Sequence, residues 1–158
     1  GQAYTCDESR IEFSEAEFKA EYLFYRASTS KGQRAVFIVP PTGGTNYLDR
    51  SYAKGFCKAG FDAYILSRWT EDDEYSLELK IHERFYSRVQ RALELALQKT
   101  SSSFTGILGT SVGGLHAAVA MGLHDKLDAA FVITSGLPSS KMTKSTLRPC
   151  KRFYLLNH

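Results

Sequence analysis

Short apolar runs alternate with stretches of helical periodicity along most of this chain. The run Ala35–Val39 is rich in β-branched and aromatic residues and is followed by Pro40 and Pro41, which is typical of a strand buried on both faces. Residues 77–99 instead repeat apolar positions at helical spacing, which predicts a long amphipathic helix. By the same criteria, further strands are predicted at Phe61–Leu66, Phe104–Leu108 and Leu127–Thr134, and further helices at Tyr47–Ala59 and residues 115–121.

Two aromatic-rich segments come before this alternating region. Ile11–Phe13 and Phe18–Tyr25 are predicted to form two strands that pair antiparallel. The acidic segment Thr70–Tyr75 is predicted to be a loop whose carboxylates suit the N-terminus of the long helix better than a metal site. Alternation of strands and helices requires crossover connections between parallel neighbours. The predicted fold class is therefore α/β, with three layers and a mainly parallel sheet carrying helices on both faces.

The segment from Gly109 to Gly113 reads Gly-Thr-Ser-Val-Gly and joins an apolar strand to a helix of small residues. The two glycines remove side chains that would collide where a strand reverses sharply into a helix, so Ser111 is projected from the turn. The free N–H groups at the helix start point toward the same spot, which suits a nucleophile attacking an acyl carbon. A glycine-rich turn that only allows close packing of the helix is the alternative interpretation.

The chain resembles the α/β-hydrolase superfamily over residues Ile11–Gly136. The resemblance is carried by the serine motif Gly109–Gly114, by the loop Pro40–Gly44 after the strand Ala35–Val39, and by the order of elements between them. The resemblance implies that Ser111 is the nucleophile of a serine hydrolase. It also implies that the backbone N–H of Val112 is one oxyanion donor and that Thr42 or Gly43 supplies the other. Because the carboxyl ends of parallel strands share one edge of a sheet, we expect these groups to face each other there.

The superfamily orders its catalytic triad as serine, then an acid, then histidine. His158 comes last in that order and is the candidate base, whereas no catalytic acid is identified. His116 is expected to be packed inside the fold, because it lies on a different helical face from Ser111. Asp125 and Asp128 precede a strand, so we expect them at the opposite edge of the sheet in structural roles.

The end of the chain differs in character from the rest. Residues 1–136 are interpreted as the α/β-hydrolase-like core and residues 137–158 as a basic tail without an assigned structure. After Thr134 the only strand signal is at Phe153–Leu156. The later strands of the superfamily are therefore expected to be missing, and the chain is interpreted as a truncated form. The strand Leu127–Thr134 would then expose an edge through which a homodimer could form.

Composition and residue spacing limit which partners and cofactors are expected. The chain has 158 residues and a net charge of +3, and its apolar runs are too short for a membrane span. The dispersed cations of the tail are interpreted as a solvated surface, so no nucleic acid is predicted as a partner. Histidine spacing predicts no metal, and no cofactor motif is present. The odd number of cysteines argues against a disulfide framework, and Cys57 is expected to be a small buried side chain.

These features favour a serine hydrolase that cleaves an ester, thioester or related acyl bond of a small molecule through a Ser111 acyl-enzyme. A catalytically inactive α/β-hydrolase-like domain that binds a ligand or a protein in the same cleft is one alternative. A truncated product without function is another. Tyr47, Trp69 and Tyr75 are expected near the cleft, where they would indicate an apolar acyl or ring group; the alternative is that they are part of the fold. The sequence leaves the cellular compartment open.

Overall fold

The computed structural model describes residues 5–28, 33–71, 74–76, 83–134 and 153–157. The strands and helices within these ranges are, in chain order, β1 Glu8–Glu15, β2 Phe18–Tyr25, β3 Arg34–Val39, α1 Tyr47–Lys58, β4 Phe61–Glu71, β5 Glu74–Ser76, α2 Glu83–Lys99, β6 Phe104–Thr110, α3 Val112–Leu123, β7 Ala129–Thr134 and β8 Phe153–Asn157. Each strand and helix predicted from the apolar pattern coincides with, or overlaps, an element of the expected type.

The described strands form one mixed sheet in the order β1-β2-β4-β3-β6-β7-β8, with β5 paired to β4 outside this path. β1 and β2 pair antiparallel, as expected, and β2 is antiparallel to β4. From β4 through β3, β6 and β7 to β8, every neighbouring pair is parallel. The carboxyl ends of these strands therefore share one edge, and β6, which leads directly to Ser111, reaches it near the middle.

Helices cover both faces of the sheet. On one face α1 buries Ala53 in a cluster that includes Ile38 of β3. On the other face, α2 and α3 bury Leu93 and Ala117 together with Phe37, the neighbour of Ile38 in the same strand. Successive strand residues point to opposite faces, so β3 contributes to both cores and the predicted three-layer α/β class is confirmed. None of the helices in the described ranges is long and apolar enough to cross a membrane.

Residues that flank α1 determine where this helix begins and ends. The Asn46 side chain accepts hydrogen bonds from the N–H groups of Leu48 and Asp49 at 2.9 and 3.1 Å. The Asp49 carboxylate in turn accepts from the Asn46 N–H at 3.0 Å, which completes a reciprocal capping box. At the other end Gly60 has a φ of 97°, a conformation that favours glycine and stops the helix.

The acidic segment predicted as a loop is mostly strand, so that prediction is wrong. β4 continues to Glu71, and β5 returns antiparallel with Glu74 opposite Glu71. Cross-strand pairing outweighs the polar composition here. Residues 72–73, and residues 77–82 at the start of the predicted long helix, lie outside the described part of the chain.

One strand within the basic tail extends the sheet beyond β7. β8 pairs parallel with β7, from Ala130 opposite Phe153 to Thr134 opposite Asn157. The expected exposed edge on β7 is therefore wrong, because β8 covers it, and a homodimer has no basis in that edge. Residues 135–152, which make up most of the tail, lie outside the described residues.

Cys6 and Cys57 form a disulfide with a Cα–Cα distance of 5.7 Å. Cys57 is buried, as expected, but the expectation of no disulfide is wrong. The bond joins the segment before β1 to the last turn of α1. Because the two cysteines lie 51 residues apart, local sequence pattern carries no signal for their pairing.

Candidate active site

Ser111 connects β6 to α3 in a backbone conformation that few residues adopt. Its φ and ψ are 54° and −122°, and its side chain is exposed. Although it occupies the N-cap position of α3, its hydroxyl makes no capping bond. Its backbone N–H donates to the Ile133 carbonyl at 3.0 Å, which anchors the turn to β7. Such backbone strain costs about 1–3 kcal/mol and concentrates at functional sites.

Two glycines make the turn at Ser111 sterically possible. A Cβ atom on Gly109 would overlap the backbone of Gly113. A Cβ atom on Gly113 would lie 2.5 Å from the Pro40 carbonyl oxygen and 2.7 Å from the Val39 carbonyl carbon. The start of α3 therefore packs backbone to backbone against β6 on one side and against the end of β3 on the other.

The loop that follows β3 turns sharply at this contact. Gly44 N–H donates to the Pro41 carbonyl at 3.0 Å and closes a four-residue turn. Gly43, at the third position, has the positive φ of 94° that a type II turn requires. Among the described residues, no backbone carbonyl accepts from the N–H groups of Thr42 and Gly43. Val112 begins α3, so its N–H has no acceptor within the helix.

Asp49 is a fully buried carboxylate beside these segments. Its Oδ2 accepts from the Asn46 N–H at 3.0 Å, and its Oδ1 accepts from the Thr110 hydroxyl at 3.4 Å. Burial raises the pKa of Asp49, while the hydrogen bonds from Asn46 and Thr110 and the charge of Arg50 act to lower it. Asp49 is not among the site residues that the sequence predicts. Asn-x-x-Asp spacing signals a capping box, but the contact with Thr110 exists only in the fold.

The described histidines are not part of the turn at Ser111. His116 is fully buried on α3, with its ring centroid 5.5 Å from that of Tyr86, so the expectation that it is packed inside is confirmed. His124 follows α3, and its Nε2 lies 3.2 Å from Gln90 Oε1. Burial lowers the pKa of His124. The candidate base, His158, lies outside the described residues.

Asp128 lies at the opposite edge of the sheet from Ser111. Its Oδ2 accepts from the N–H of Thr105, near the start of β6, at 2.9 Å. The expectation of a structural role at that edge is confirmed for this residue.

The aromatic residues expected near the cleft differ in their surroundings. Trp69 is fully buried in the core, so for this residue the alternative of a role in the fold is the one observed. Tyr47 directly follows the loop after β3 and is 75% exposed. The side chain of Tyr75 lies outside the described part of the chain.

Solved structures share this fold at low sequence identity. A dienelactone hydrolase-like promiscuous phosphotriesterase from metagenomic libraries aligns with a TM-score of 0.68 and 15% identity, over 96% of this chain and 82% of its own. An alpha/beta hydrolase from Penicillium gives a TM-score of 0.63 and 15% identity, over 82% of this chain and 46% of its own. An acylaminoacyl peptidase from Pyrococcus horikoshii gives a TM-score of 0.65 and 12% identity, over 99% of this chain and 37% of its own.

This chain thus spans less than half the length of the last two proteins. At these identities the likeness shows the fold, which is α/β-hydrolase-like. No protein-family model and no curated protein matches the sequence.

Proposed function

We propose that this protein is a serine hydrolase that cleaves an ester, thioester or related acyl bond through an acyl-enzyme on Ser111. The observation that carries the proposal is the exposed, strained serine between β6 and α3, in a turn that the glycines at 109 and 113 permit. A strained backbone that presents an exposed hydroxyl, which makes no capping bond to α3, is costly to maintain without a chemical role. The similar solved structures carry names with different activities, a phosphotriesterase and an acylaminoacyl peptidase among them. The choice of an acyl bond therefore rests on the hydroxyl and its neighbouring amide donors.

The proposed chemistry begins with attack of the Ser111 oxygen on the acyl carbon while a base takes the hydroxyl proton. The carbonyl oxygen becomes an oxyanion, which accepts hydrogen bonds from the N–H of Val112 and from that of Thr42 or Gly43. Collapse of the intermediate breaks the bond to the leaving alcohol or thiol, which receives the proton. Water then attacks the acyl-enzyme by the same route and frees the acid.

His158 is the proposed base. It directly follows Asn157, where β8 ends opposite Thr134 of β7. β6, β7 and β8 are parallel neighbours, and strands lie about 4.8 Å apart, so the ends of β8 and β6 are separated by about 10 Å. This register supports a base that approaches Ser111 from β8.

A ligand-binding domain without catalysis is the second candidate. The observation that favours it is that the described histidines, His116 and His124, are each held in other contacts away from the turn. Without a base, a serine hydroxyl is a poor nucleophile.

Labelling with a fluorophosphonate probe separates the two candidates. We expect one probe adduct by intact-mass spectrometry, mapped to Ser111 and abolished in Ser111→Ala. Ser101→Ala is the matched control, because Ser101 is an exposed serine at the opposite edge of the sheet, and it should label like the wild type. Well-folded wild-type protein that takes up no probe would overturn the hydrolase proposal and favour the binding domain.

A separate variant tests the proposed role of His158. His158→Gly should slow labelling and ester hydrolysis by about 10²–10⁴-fold, the usual contribution of a general base. Added imidazole should restore part of the rate, since a small base can occupy the space of the missing ring. Wild-type rates in this variant would exclude His158 as the base and leave the Ser111 proposal standing.

A further inference from the structure

Asp49 touches both of the segments that carry the proposed oxyanion donors. Through Oδ2 it holds the N–H of Asn46, the last residue of the loop that contains Thr42 and Gly43. Through Oδ1 it reaches the hydroxyl of Thr110, the last residue of β6, which directly precedes Ser111. The second contact joins residues 61 positions apart in the sequence.

Capping of α1 does not by itself explain the burial of Asp49. A capping-box carboxylate needs only the N–H of the N-cap residue and normally remains at the surface. Asp49 is 0% exposed, and no ion pair joins it to any residue of the described ranges. The guanidinium of its neighbour Arg50 is bonded instead to Glu8 at 2.8 Å. Burying a carboxylate costs free energy. Burial brings Asp49 into contact with Thr110, and this contact is the one that capping does not account for.

The other end of the same loop is fixed by a different contact. Gly113 lies against the carbonyl groups of Val39 and Pro40, where the loop begins. The loop is thus tied to the neighbourhood of Ser111 at its start by backbone packing and at its end by Asp49. The proposed donors lie between these two ties.

We propose that Asp49 is a positioning residue that sets the distance between the loop donors and the Val112 N–H by bridging Asn46 and Thr110. The inference rests on the proposed hydrolase function, because it assigns these N–H groups to an oxyanion. The oxygen–oxygen distance to Thr110 is long, at 3.4 Å, and hydrogen bonds at active sites commonly tighten when the transition state is bound. Donors that are fixed in advance lower the barrier to the chemical step and change substrate binding little.

The test compares Thr110→Val, Thr110→Ser, Asp49→Asn and the double variant Asp49→Asn/Thr110→Val. Valine keeps the shape of threonine and suits the end of a strand, so Thr110→Val removes only the hydroxyl. We expect a fall of about tenfold in the rate of fluorophosphonate labelling and in kcat for an ester, with KM within about twofold. Thr110→Ser should recover most of the lost rate. The double variant should lose no more than the stronger single variant, since both changes weaken the same bridge, asparagine by removing the carboxylate charge and valine by removing the hydroxyl.

Amide hydrogen exchange of residues 41–46 gives a readout that needs no activity. Both Thr110→Val and Asp49→Asn should speed exchange in this segment. Asp128→Asn is the matched control, because Asp128 also holds a backbone N–H, that of Thr105, but at the far end of β6. It should leave exchange in 41–46 and the labelling rate at wild-type values even if it lowers the thermal unfolding midpoint.

The outcomes separate this proposal from the function on which it rests. If wild-type protein is not labelled, the hydrolase proposal fails and the catalytic role of Asp49 falls with it, while the exchange data still show whether the bridge holds the loop. If wild-type protein is labelled, wild-type exchange and wild-type labelling in Thr110→Val and Asp49→Asn would overturn the positioning role. A lower unfolding midpoint with kcat unchanged would also overturn it, because that result marks a purely structural contact.

Discussion

The backbone at Ser111 depends on neighbouring residues that have no side chain. Its φ of 54° places a non-glycine residue in a region that costs about 1–3 kcal/mol, and packing around it must supply that energy. The close contacts at Gly109 and Gly113 show how this occurs, because β6, α3 and β3 approach there more closely than any Cβ atom would allow. The glycines of the motif therefore have a steric role that is independent of the catalytic role proposed for the serine.

Gly113→Ala should destabilise the protein by about 3 kcal/mol, since the added methyl group meets backbone carbonyls that cannot rotate away. Gly55→Ala is the matched control. Gly55 lies inside α1 with open space where a Cβ would be, so alanine there should stabilise by about 0.5–1 kcal/mol. Urea unfolding of both variants measures the difference. A Gly113→Ala protein as stable as the wild type would show that α3 does not pack against β3 as described.

Helix α1 is held at both ends by contacts of different kinds. Asp49 in its first turn meets β6, and Cys57 in its last turn is bonded to Cys6. At a rise of 1.5 Å per residue these positions lie about 12 Å apart along the helix. The disulfide is therefore expected to stabilise the fold without affecting the chemistry at Ser111.

Removing the disulfide tests whether it affects stability without affecting the chemistry at Ser111. The double variant Cys6→Ala/Cys57→Ala should lower the free energy of unfolding by about 2–4 kcal/mol, because the bond closes a loop of 51 residues in the unfolded chain. The rate of fluorophosphonate labelling per folded molecule should not change. Cys150→Ala, which removes the remaining thiol and leaves the Cys6–Cys57 bond intact, is the control. Equal stability of the double variant and the control would contradict a disulfide in the folded protein.

The sequence predicted those elements whose signal is local. Continuous apolar runs gave β3 and β6, and helical spacing gave most of α2. The part that could not be predicted depends on partners distant in the sequence. Phe153–Leu156 carries a strand signal, but the place of β8 in the sheet depends on its pairing with β7. The contact of Asp49 with Thr110 likewise joins residues 61 positions apart.

At the scale of the whole molecule, β8 covers the edge of β7 that would otherwise be unpaired. β7 pairs with β6 on one side and β8 on the other, and its Val132 and Ile133 are buried. Without β8 the backbone N–H and C=O groups of β7 would face solvent beside apolar side chains, a combination that favours pairing between chains.

A chain ending at residue 152 should therefore self-associate, most simply as a dimer in which two copies of β7 pair antiparallel about a two-fold axis. Sedimentation velocity over a range of concentrations would detect the larger species. The control is a chain ending at Asn157, which keeps β8 and lacks only His158. It should retain the association state of the full chain. Its rate of ester hydrolysis should fall, because His158 is the proposed base. If the chain ending at residue 152 remains folded and sediments like the full chain, then β8 is not what keeps this edge from pairing between chains.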